Sequence, residues 1–412
     1  MKTVGLIVEY NPLHFGHVYH FEQSKLVSGA DAVVAVMSGH FLQRGEPAVV
    51  NKWARAEMAL RMGVDLVIEL PVAFSAQPAE WFAYGAVSAL EASGVVNCVC
   101  FGSESGQLDW LKRLARIMRH EPPEFQRFIK QQLKRGISYP AAYSAAAKRY
   151  VQDVPEEQLA KPNNILGLHY LIALERLNSP IVPLTIARRK ADYHQTDITD
   201  GRIASATAIR RLLFEKRQPE AAAAYVPVYT ADVISREWHS GRAPVSWESF
   251  LKPLMIQLLH ATPEQLSEFA EVTEGLEYRI KQALSSVTAG NGLSLEELFA
   301  RLKTKRYTRT KLQRTLLRIL LQHRKHALDR EVLRDGVPYL RILGFSEKGK
   351  QLLKRMKSCS RVPVITNVTS ETVRQFPMLE LDVRASSVYA LAYSPLSSRD
   401  LFRDYYEAPL RL

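Results

Sequence analysis

Residues 4–17 read Val4-Gly5-Leu6-Ile7-Val8-Glu9-Tyr10-Asn11-Pro12-Leu13-His14-Phe15-Gly16-His17, and this stretch decides the fold. Its first half is a short apolar run rich in β-branched residues, which is typical of a central strand in a parallel sheet. Asn11-Pro12 ends the strand with a turn. His14 and His17 follow at the start of a predicted helix, where their spacing places them on one face. Gly16 leaves room for a ligand beside the backbone, and a helix N-terminus favours anions. The stretch therefore predicts a site for a triphosphate.

Strand-like and helix-like segments alternate along the first half of the chain. Short apolar runs predict five strands: Thr3–Glu9, Ala32–Met37, Asp65–Leu70, Val95–Phe101 and Pro183–Arg188. Helical patterns occupy His17–Leu26, Lys52–Arg61, Glu80–Ala92, Gln107–Arg119, Pro123–Arg135, Pro140–Val151, Asn163–Asn178 and Ala204–Lys216. This alternation predicts an α/β fold with a doubly wound parallel sheet, in which ligands bind at the carboxyl ends of the strands.

The second half of the chain differs in pattern and in charge. From about residue 220 it reads as mostly helical as far as Leu353, followed by a short strand at Val362–Val368 and a helix near Ala385–Tyr393. Residues 1–200 contain 21 Lys/Arg and 20 Asp/Glu, whereas residues 201–412 contain 34 and 22, so the second half carries nearly all of the net charge of +13. We therefore predict two domains. One is an α/β domain over residues 1–217 with a helical insertion at about 107–151, and the other is a mainly helical, basic domain over residues 218–412.

The composition excludes several classes of protein. A hydrophobic fraction of 47% and a charged fraction of 24% are those of a soluble globular protein. The three cysteines, Cys98, Cys100 and Cys359, form no disulfide framework and suit a reducing cytosol. No apolar run is long enough to span a bilayer, and Met1-Lys2 is followed by too few apolar residues for a signal peptide. We expect a cytoplasmic protein with no membrane partner.

A basic segment, Arg301–Lys325, contains ten Lys/Arg and no acidic residue, which is the electrostatic pattern of a polyanion-binding surface. The alternative interpretation of this segment is a solvated helix face, although such faces usually mix positive and negative charges. The ring of Tyr307 has two interpretations that stay open, stacking on a base and packing in the core. We predict that nucleic acid binds through these residues: Lys303, Lys305, Arg306, Tyr307, Arg309, Lys311, Arg314 and Arg318.

A second motif lies at Ser205-Ala206-Thr207-Ala208-Ile209-Arg210-Arg211. A Ser/Thr-rich turn here opens a helix that carries Arg210. By itself this is also an ordinary helix N-terminus, since Ser and Thr are good N-caps. The two motifs in this order resemble the HxGH nucleotidylyltransferase superfamily, whose members attack the α-phosphate of ATP. The resemblance makes His14, His17 and Arg210 the expected catalytic residues, with Ser205 and Thr207 beside ATP, because such donors stabilise charge on the transferred phosphate.

Four other stretches place glycine or polar side chains at the ends of strands or helices. The loop Met37-Ser38-Gly39-His40-Phe41-Leu42-Gln43-Arg44-Gly45-Glu46-Pro47-Ala48 follows the second strand, and its Gly39, Gln43 and Arg44 suit a small anion or phosphates. The other three are Phe101-Gly102-Ser103-Glu104, Lys161-Pro162-Asn163-Asn164-Ile165-Leu166-Gly167 and Ile186-Ala187-Arg188-Arg189. Arg188 suits bidentate phosphate binding, and its alternative is a surface ion pair.

Together with Lys303-Thr304-Lys305-Arg306-Tyr307-Thr308-Arg309, these stretches resemble one family over the whole chain, the bacterial tRNA(Met) cytidine acetate ligases. Its members activate acetate with ATP to acetyladenylate and pyrophosphate. They then acetylate N4 of the wobble cytidine, position 34, of elongator tRNA(Met). The resemblance implies three partners, which are ATP, acetate and elongator tRNA(Met). It implies Mg²⁺ held mainly by the phosphates, with no metal site made of side chains, and no protein partner is predicted.

The resemblance also assigns the ATP contacts residue by residue. Of the Asn163-Asn164 pair, Asn163 is the one chosen. The expected contacts are Ile7, Val8, Glu9, Tyr10, Asn11, Pro12, Leu13, His14, Phe15, Gly16, His17, Val18, Tyr19, His20, Gly102, Asn163 and Arg188.

Two other functions compete with this one. A small-molecule adenylyltransferase, acting on a mononucleotide or on phosphopantetheine, needs the same two motifs but has no use for a basic helical half. An RNA-binding protein with an inactive nucleotidyltransferase domain needs the basic half, but the intact His14, Gly16, His17 and Arg210 argue against it.

Overall fold

The sheet is the frame of the molecule and draws strands from both halves of the chain. The computed structural model describes residues 1–137, 139–188, 204–285, 294–304 and 307–412. In these residues eight strands form one sheet in the order β5-β4-β1-β2-β3-β6-β7, and β8 also pairs with β6. The strands are β1 (Thr3–Val8), β2 (Ala32–Ser38), β3 (Leu66–Leu70), β4 (Cys98–Ser103), β5 (Val182–Ala187), β6 (Leu340–Phe345), β7 (Val364–Ile365) and β8 (Leu410–Arg411).

Helices cover the sheet and extend beyond it. Those before β6 are α1 (Phe15–Ser28), α2 (Lys52–Met62), α3 (Val72–Ser75), α4 (Ala79–Ala92), α5 (Asp109–Met118), α6 (Pro123–Lys134), α7 (Tyr139–Lys148), α8 (Glu156–Ala160), α9 (Pro162–Arg176), α10 (Ala206–Lys216), α11 (Val228–His239), α12 (Leu251–His260), α13 (Pro263–Ser267), α14 (Leu276–Ser285), α15 (Leu295–Leu302), α16 (Arg309–Leu320) and α17 (Arg330–Leu333). After β6 come α18 (Glu347–Cys359), α19 (Ser370–Gln375), α20 (Pro377–Ala390), α21 (Ser398–Leu401) and α22 (Arg403–Tyr406).

The central strand β2 shows why the sheet is buried on both faces. All seven of its residues are buried. Val34 and Val36 belong to one hydrophobic core, whereas Val33 and Ala35 belong to the core on the opposite face. Alternate side chains of a strand point to opposite faces, so a strand that is apolar throughout needs cover on both sides. Among the described residues, no helix has both the length and the apolar character needed to cross a bilayer.

The predicted α/β fold with a parallel sheet is confirmed for β1 to β5, which all run parallel. Three segments differ from the prediction. Leu340–Phe345, predicted as part of a helical region, is strand β6 and pairs antiparallel with β3. The strand predicted at Val362–Val368 is only the two-residue β7, and the last long helix is Pro377–Ala390 rather than Ala385–Tyr393. The division of the chain after residue 217 stays a prediction, although the sheet takes three strands from beyond it.

Four buried charged residues join the C-terminal helices to the sheet, and we call them the buried ion cluster: Lys52, Glu69, Arg341 and Asp404. Lys52 Nζ lies 2.9 Å from Glu69 Oε1 and 2.8 Å from Asp404 Oδ1. Arg341 Nε lies 3.4 Å from Glu69 Oε2, and Arg341 also pairs with Asp404. Two cations therefore neutralise two carboxylates inside the protein. Such a cluster favours one arrangement of its elements, because a misplaced partner leaves a buried charge uncompensated.

Candidate active site

The carboxyl ends of β1, β4 and β5 open into a cleft with a volume of about 300 Å³. The start of α1, the loop after β2 and the N-termini of α9 and α10 complete its walls. Its lining includes most of the predicted ATP contacts: Ile7, Val8, Glu9, Tyr10, Asn11, His14, Gly16, His17, Tyr19, His20, Gly102, Asn163, Arg188, Ser205 and Thr207. Arg44 and Arg210 also line it. A cleft at the carboxyl edge of a parallel sheet is the expected ligand site of this architecture.

The turn between β1 and α1 fixes the two motif histidines. His14 is the N-cap of α1, and its Nδ1 accepts a hydrogen bond from the backbone N–H of Gly16 at 3.0 Å. His17 Nδ1 accepts from the backbone N–H of His14 at 3.3 Å. In a neutral imidazole whose Nδ1 is an acceptor, the proton resides on Nε2. Each ring therefore has one N–H donor left, which suits a phosphate oxygen in the cleft.

These histidines are neutral donors rather than cations. Burial lowers the pKa of His14 to about 3, with smaller contributions from Arg188 and Arg210. Burial also lowers the pKa of His17 well below its usual value, and His14, His20 and Arg188 add to the effect. The positive charge of the site consequently comes from Arg44, Arg188 and Arg210, and the imidazoles supply directed hydrogen bonds.

Arg210 connects the second motif to the first. Ser205 caps α10 by accepting from the backbone N–H of Ala208 at 3.1 Å. Arg210 Nη1 donates to the backbone carbonyl of Asn11 at 2.9 Å. Its Nη2 lies 3.4 Å from the hydroxyl of Thr207 and 3.5 Å from Oε2 of Glu46. The guanidinium is therefore held at the cleft wall by its own helix, by the β1–α1 turn and by the loop after β2.

The two adjacent asparagines have different positions. Asn164 is fully buried, and its Oδ1 accepts from the backbone N–H groups of Glu104 and Ser105 at 3.0 and 3.2 Å. Asn163 lines the cleft, donates to Glu104 at 2.7 Å and accepts from Arg188 Nη1 at 3.3 Å. Asn164 thus fixes the loop after β4, while Asn163 orients Arg188. The choice of Asn163 as the ATP contact remains a prediction, and its place in the cleft supports it.

The loop after β2 contributes less than the sequence predicted. Arg44 lines the cleft, but Gly39 and Gln43 do not. The side-chain amide of Gln43 donates to the backbone carbonyl of Gln77 at 3.0 Å. A Cβ at Gly39 would lie 2.6 Å from Glu69 Oε1, so this glycine packs against the buried ion cluster. Gly39 and Gln43 therefore hold the loop in place, which corrects the prediction that they face the substrate.

Four further residues predicted to contact ATP also lie outside the lining of the cleft: Pro12, Leu13, Phe15 and Val18. Leu13 is fully buried in the core. Seven lining residues were not predicted from the sequence: Leu42, Glu46, Phe101, Leu166, Tyr170, Ile186 and Ala206. All except Tyr170 lie within the motif stretches, and this position is their only sequence signal. The apolar residues from β4, β5 and α9 form a wall that suits a purine ring, opposite the donors that suit phosphates.

Comparisons with known proteins agree with this geometry. A family model described as HIGH Nucleotidyl Transferase matches residues 1–404. The chain is 44% identical over 403 residues to the tRNA(Met) cytidine acetate ligase of Acetivibrio thermocellus, covering 95% of each chain. It is 41% identical over 409 residues to the protein of the same name from Caldanaerobacter subterraneus, covering 98% of each.

Solved structures are similar over the full length. The apo crystal structure of Thermotoga maritima TmcAL superposes with a TM-score of 0.91 at 36% identity, covering 100% of both chains. The structure of the same protein bound with alpha-thio ATP gives a TM-score of 0.89. The chain belongs to the HIGH nucleotidyl transferase family, and within it to the tRNA(Met) cytidine acetate ligases.

For a member of the ligase family, the position of the predicted tRNA-binding residues matters, and two of them are corrected. Arg318 is fully buried, where it contacts His323 Nδ1 at 3.0 Å and the backbone carbonyl of Ala76. Tyr307 is buried, and its hydroxyl donates to the carbonyl of Glu274 at 2.8 Å. Neither side chain is available to tRNA, so Arg318 is a structural cation and the ring of Tyr307 packs in the core.

The remaining basic residues of this segment are partly committed to acidic partners. Arg314 pairs with Glu271 at 3.0 Å and is only 11% exposed. Arg309 pairs with Glu296 at 2.6 Å but is 47% exposed. Lys303 is exposed and Lys311 is half-buried, whereas Lys305 and Arg306 lie outside the described residues. Within the described residues, accessible basic side chains therefore remain at the N-terminus of α16, and Lys325 is exposed beyond its C-terminal end.

Helix α16 also touches the cleft of this ligase-family fold directly. Gln313 Nε2 donates to Oε1 of Glu46 at 3.3 Å. Gly45 has a positive φ of 78°, and a Cβ there would lie 2.6 Å from the backbone nitrogen of Arg314. This close approach explains why glycine is needed at position 45. The basic segment and the ATP cleft consequently share one wall, the loop after β2.

Proposed function

We propose that this chain is an ATP-dependent tRNA(Met) cytidine acetate ligase. The observation that supports this best is the bond from Arg210 to the carbonyl of Asn11, which brings both nucleotidyltransferase motifs to one cleft. The relatives that share its full length bear this enzyme's name, and one solved relative binds an ATP analogue. A basic surface beside the cleft suits a tRNA substrate. ATP, acetate and tRNA meet in the cytoplasm, where we place the reaction.

In the first step, an oxygen of acetate attacks the α-phosphorus of ATP. A new phosphorus–oxygen bond forms as the bond to pyrophosphate breaks, giving acetyladenylate. Negative charge grows on the α-phosphate oxygens and on the leaving group. His14, His17, Arg188 and Arg210 line the cleft as donors for that charge, and removing one such donor typically costs about 3–4 kcal/mol in the transition state.

ATP is oriented by the two different walls of the cleft. The apolar side chains Phe101, Leu166, Tyr170 and Ile186 suit the adenine ring. Gly102 has no Cβ, and Asn163 and Arg188 lie next to it, so the ribose and phosphates can approach the backbone closely. Arg44, on the opposite side, is the cation that would hold the acetate carboxylate.

Mg²⁺ fits this site only when it is coordinated by the nucleotide. Among the described residues, no cluster of three or more His, Cys, Asp or Glu side chains could hold a metal ion. We propose that Mg²⁺ enters with ATP and is coordinated mainly by the phosphates and by water, as is usual for this ion. When bound, it would neutralise charge on the leaving pyrophosphate.

In the second step, the N4 amine of the wobble cytidine attacks the acetyl carbonyl. The bond between nitrogen and carbon forms as the bond to AMP breaks. Holding both reactants in one cleft supplies most of the required acceleration, because a mixed anhydride is already reactive. We propose that Lys303, Lys305, Arg306, Arg309 and Lys311 contact the tRNA backbone.

The experiment that tests this function measures both steps. Purified protein is incubated with ATP and acetate for acetate-dependent ATP–pyrophosphate exchange, and then with elongator tRNA(Met) for N4-acetylcytidine formation. We expect both products, and no product from acetyl-coenzyme A alone. A tRNA carrying uridine at the wobble position is the matched control, since it lacks the N4 amine. Product from acetyl-coenzyme A without acetate, or exchange that needs a mononucleotide instead of acetate, would contradict the proposal.

A further inference from the structure

One ionisable group in the cleft has no role in the chemistry described so far. Glu9 lies at the carboxyl end of β1 and lines the cleft. A carboxylate is a poor neighbour for a triphosphate and for acetate, because all three are anions. Burying it there costs free energy unless it is paired. Its presence at the reacting end of the central strands therefore needs a chemical reason.

The carboxyl group of Glu9 is fixed in direction. Its Oε1 accepts the backbone N–H of Gln43 at 2.7 Å. The backbone carbonyl of Glu9 accepts from Arg55 Nη1 at 2.7 Å, and Arg55 also holds the carbonyl of Ser38 at 3.0 Å. The buried Arg55 thus clamps the ends of β1 and β2. Glu9 Oε2 has no hydrogen-bond partner within the described part of the chain, so it is the oxygen left for a substrate.

The order of the strands places Glu9 on the acceptor side of the cleft. β1 lies between β4 and β2. The residues proposed to hold adenine and ribose come from β4, β5 and α9, on one side of β1. Arg44 and Glu46 come from the loop after β2, on the other side. The α-phosphate belongs over the β1–α1 turn, where His14 and His17 lie, so the acetyl group and the incoming cytidine face Glu9.

We infer that Glu9 is the general base of acetyl transfer, which binds the N4 amine of cytidine and removes its proton. This assignment rests on the proposed function. A carboxylate oxygen is the natural acceptor for the N4 amine of cytosine. As the amine nitrogen bonds to the acetyl carbon, one N4 proton passes to Glu9 Oε2. AMP leaves with the electron pair of the broken carbon–oxygen bond, and Glu9 later releases the proton to water.

The surroundings of Glu9 make its carboxylate a stronger base than an ordinary glutamate side chain. Burial raises the pKa of its carboxyl, and the nearby Glu46 raises it further, whereas the Gln43 N–H, Arg55 and Arg44 lower it. A base with a pKa raised towards the working pH transfers protons most effectively.

The other carboxylate of the cleft, Glu46, is already engaged. It pairs with Arg210 at 3.5 Å and accepts from Gln313 at 3.3 Å. Arg210 acts on the phosphate, so loss of the Glu46 charge should disturb the first step. Glu9→Gln and Glu46→Gln therefore form a matched pair of variants, each removing one carboxylate charge from the same cleft without changing its size.

The experiment separates the two chemical steps. Enzyme loaded with acetyladenylate is mixed rapidly with tRNA(Met), and the rate constant of acetyl transfer is measured in a single turnover. Acetate-dependent ATP–pyrophosphate exchange reports the first step. For Glu9→Gln we expect transfer to fall by about a hundredfold more than exchange falls. For Glu46→Gln we expect exchange to fall at least as much as transfer.

The pH profile supplies a readout that a purely structural role would not change. In the wild type, the transfer rate should rise tenfold per pH unit below the pKa of Glu9 and become level above it. Glu9→Asp should keep this rising limb at a lower rate, and Glu9→Gln should lose it. Three outcomes would overturn the assignment of Glu9. They are a wild-type rate of acetyl transfer in Glu9→Gln, an equal loss of adenylation and transfer in Glu9→Gln, and a selective loss of transfer in Glu46→Gln. A wild-type enzyme that forms no acetyladenylate and no acetylated tRNA would overturn the proposed function itself.

Discussion

The imidazole rings of His14 and His17 lie with their centroids 4.0 Å apart, at an angle of 38° between the ring planes. Each ring is also oriented by a backbone N–H at its Nδ1, so the pair is rigid before any ligand arrives. Two neutral donors at this spacing can bind neighbouring oxygens of one phosphate without the repulsion that two cations would suffer. A preorganised pair of this kind stabilises a transition state without reorganisation.

From this arrangement we expect His17→Ala to reduce adenylate formation by at least about a hundredfold. The fold should survive, because only one hydrogen bond at the helix N-terminus is lost, at a cost of about 1 kcal/mol. ATP–pyrophosphate exchange and a thermal melt measure the two effects separately. ATP–pyrophosphate exchange close to the wild-type rate would show that His17 only caps helix α1.

The basic residues at the start of the segment Arg301–Lys325 should govern tRNA binding. We expect the triple replacement of Lys305, Arg306 and Arg309 by Ala to weaken tRNA affinity and flatten its salt dependence. Each lost phosphate contact lowers the slope of log affinity against log salt by about 0.7–0.9. Acetate activation measured without tRNA should change little.

The control for this triple variant is Arg314→Ala. Its side chain is committed to Glu271 and is 11% exposed, so its loss should lower thermal stability and leave the salt slope unchanged. The measurement is tRNA affinity at several salt concentrations. If the triple variant keeps the wild-type tRNA affinity and the wild-type salt slope, then tRNA binds on another surface, for which the helices α5 to α7 are the next candidates.

Disruption of the buried ion cluster should strongly lower the free energy of unfolding. Lys52→Met leaves Glu69 and Asp404 with too little positive charge in a region that water does not reach. We expect a loss of about 3–5 kcal/mol in the free energy of unfolding, measured by urea titration. Arg384→Ala removes an ion pair with Glu380 that is 42% and 54% exposed, and it should change stability by no more than about 0.5 kcal/mol. Equal losses of unfolding free energy in Lys52→Met and Arg384→Ala would refute the stabilising role of the buried ion cluster.

Stability should fall as the pH falls below about 6.5, and His169 should contribute. Burial lowers its pKa to about 4 in the folded protein, with Arg176 lowering it further and Glu80 opposing. Between pH 4 and 6.5 the unfolded chain therefore binds the extra proton, so acid favours unfolding. We expect His169→Gln to reduce the stability difference between pH 7 and pH 5 by roughly 1–2 kcal/mol. Chemical denaturation at both pH values measures it, and an unchanged difference would contradict the prediction.

The sequence allowed the first five strands to be predicted, and also the two motifs that meet at the cleft, because each depends on local signals. Apolar runs of strand length, the Asn-Pro turn and the Ser205 cap are all short-range features. Strand β6 could not be placed in this way. Leu340–Phe345 is a short apolar run in a helical region, and periodicity alone does not separate a short strand from a buried helical turn. Its partner, β3, is distant in sequence, so only the folded chain reveals the pairing.

Buried arginines explain the errors in the predicted tRNA surface. A sequence shows Arg318 as one more positive charge in a basic segment, whereas the structure shows it fully buried against His323 and the carbonyl of Ala76. Arg55 is buried in the same way beneath the cleft. Whether an arginine faces solvent depends on partners supplied by other elements. Charge counting therefore cannot separate arginines held inside the protein from those at its surface, and tRNA binding by this segment stays a prediction.

The antiparallel pairing of β3 with β6 has a consequence for synthesis on the ribosome. Leu66–Leu70 is entirely buried in the finished protein, yet its partner Leu340–Phe345 leaves the ribosome much later, since translation adds roughly 5–20 residues per second. Throughout that interval β3 is an unpaired apolar edge, the kind of surface that pairs with other chains. The nascent chain is accordingly most prone to aggregation, and most dependent on chaperones, until its last third has emerged.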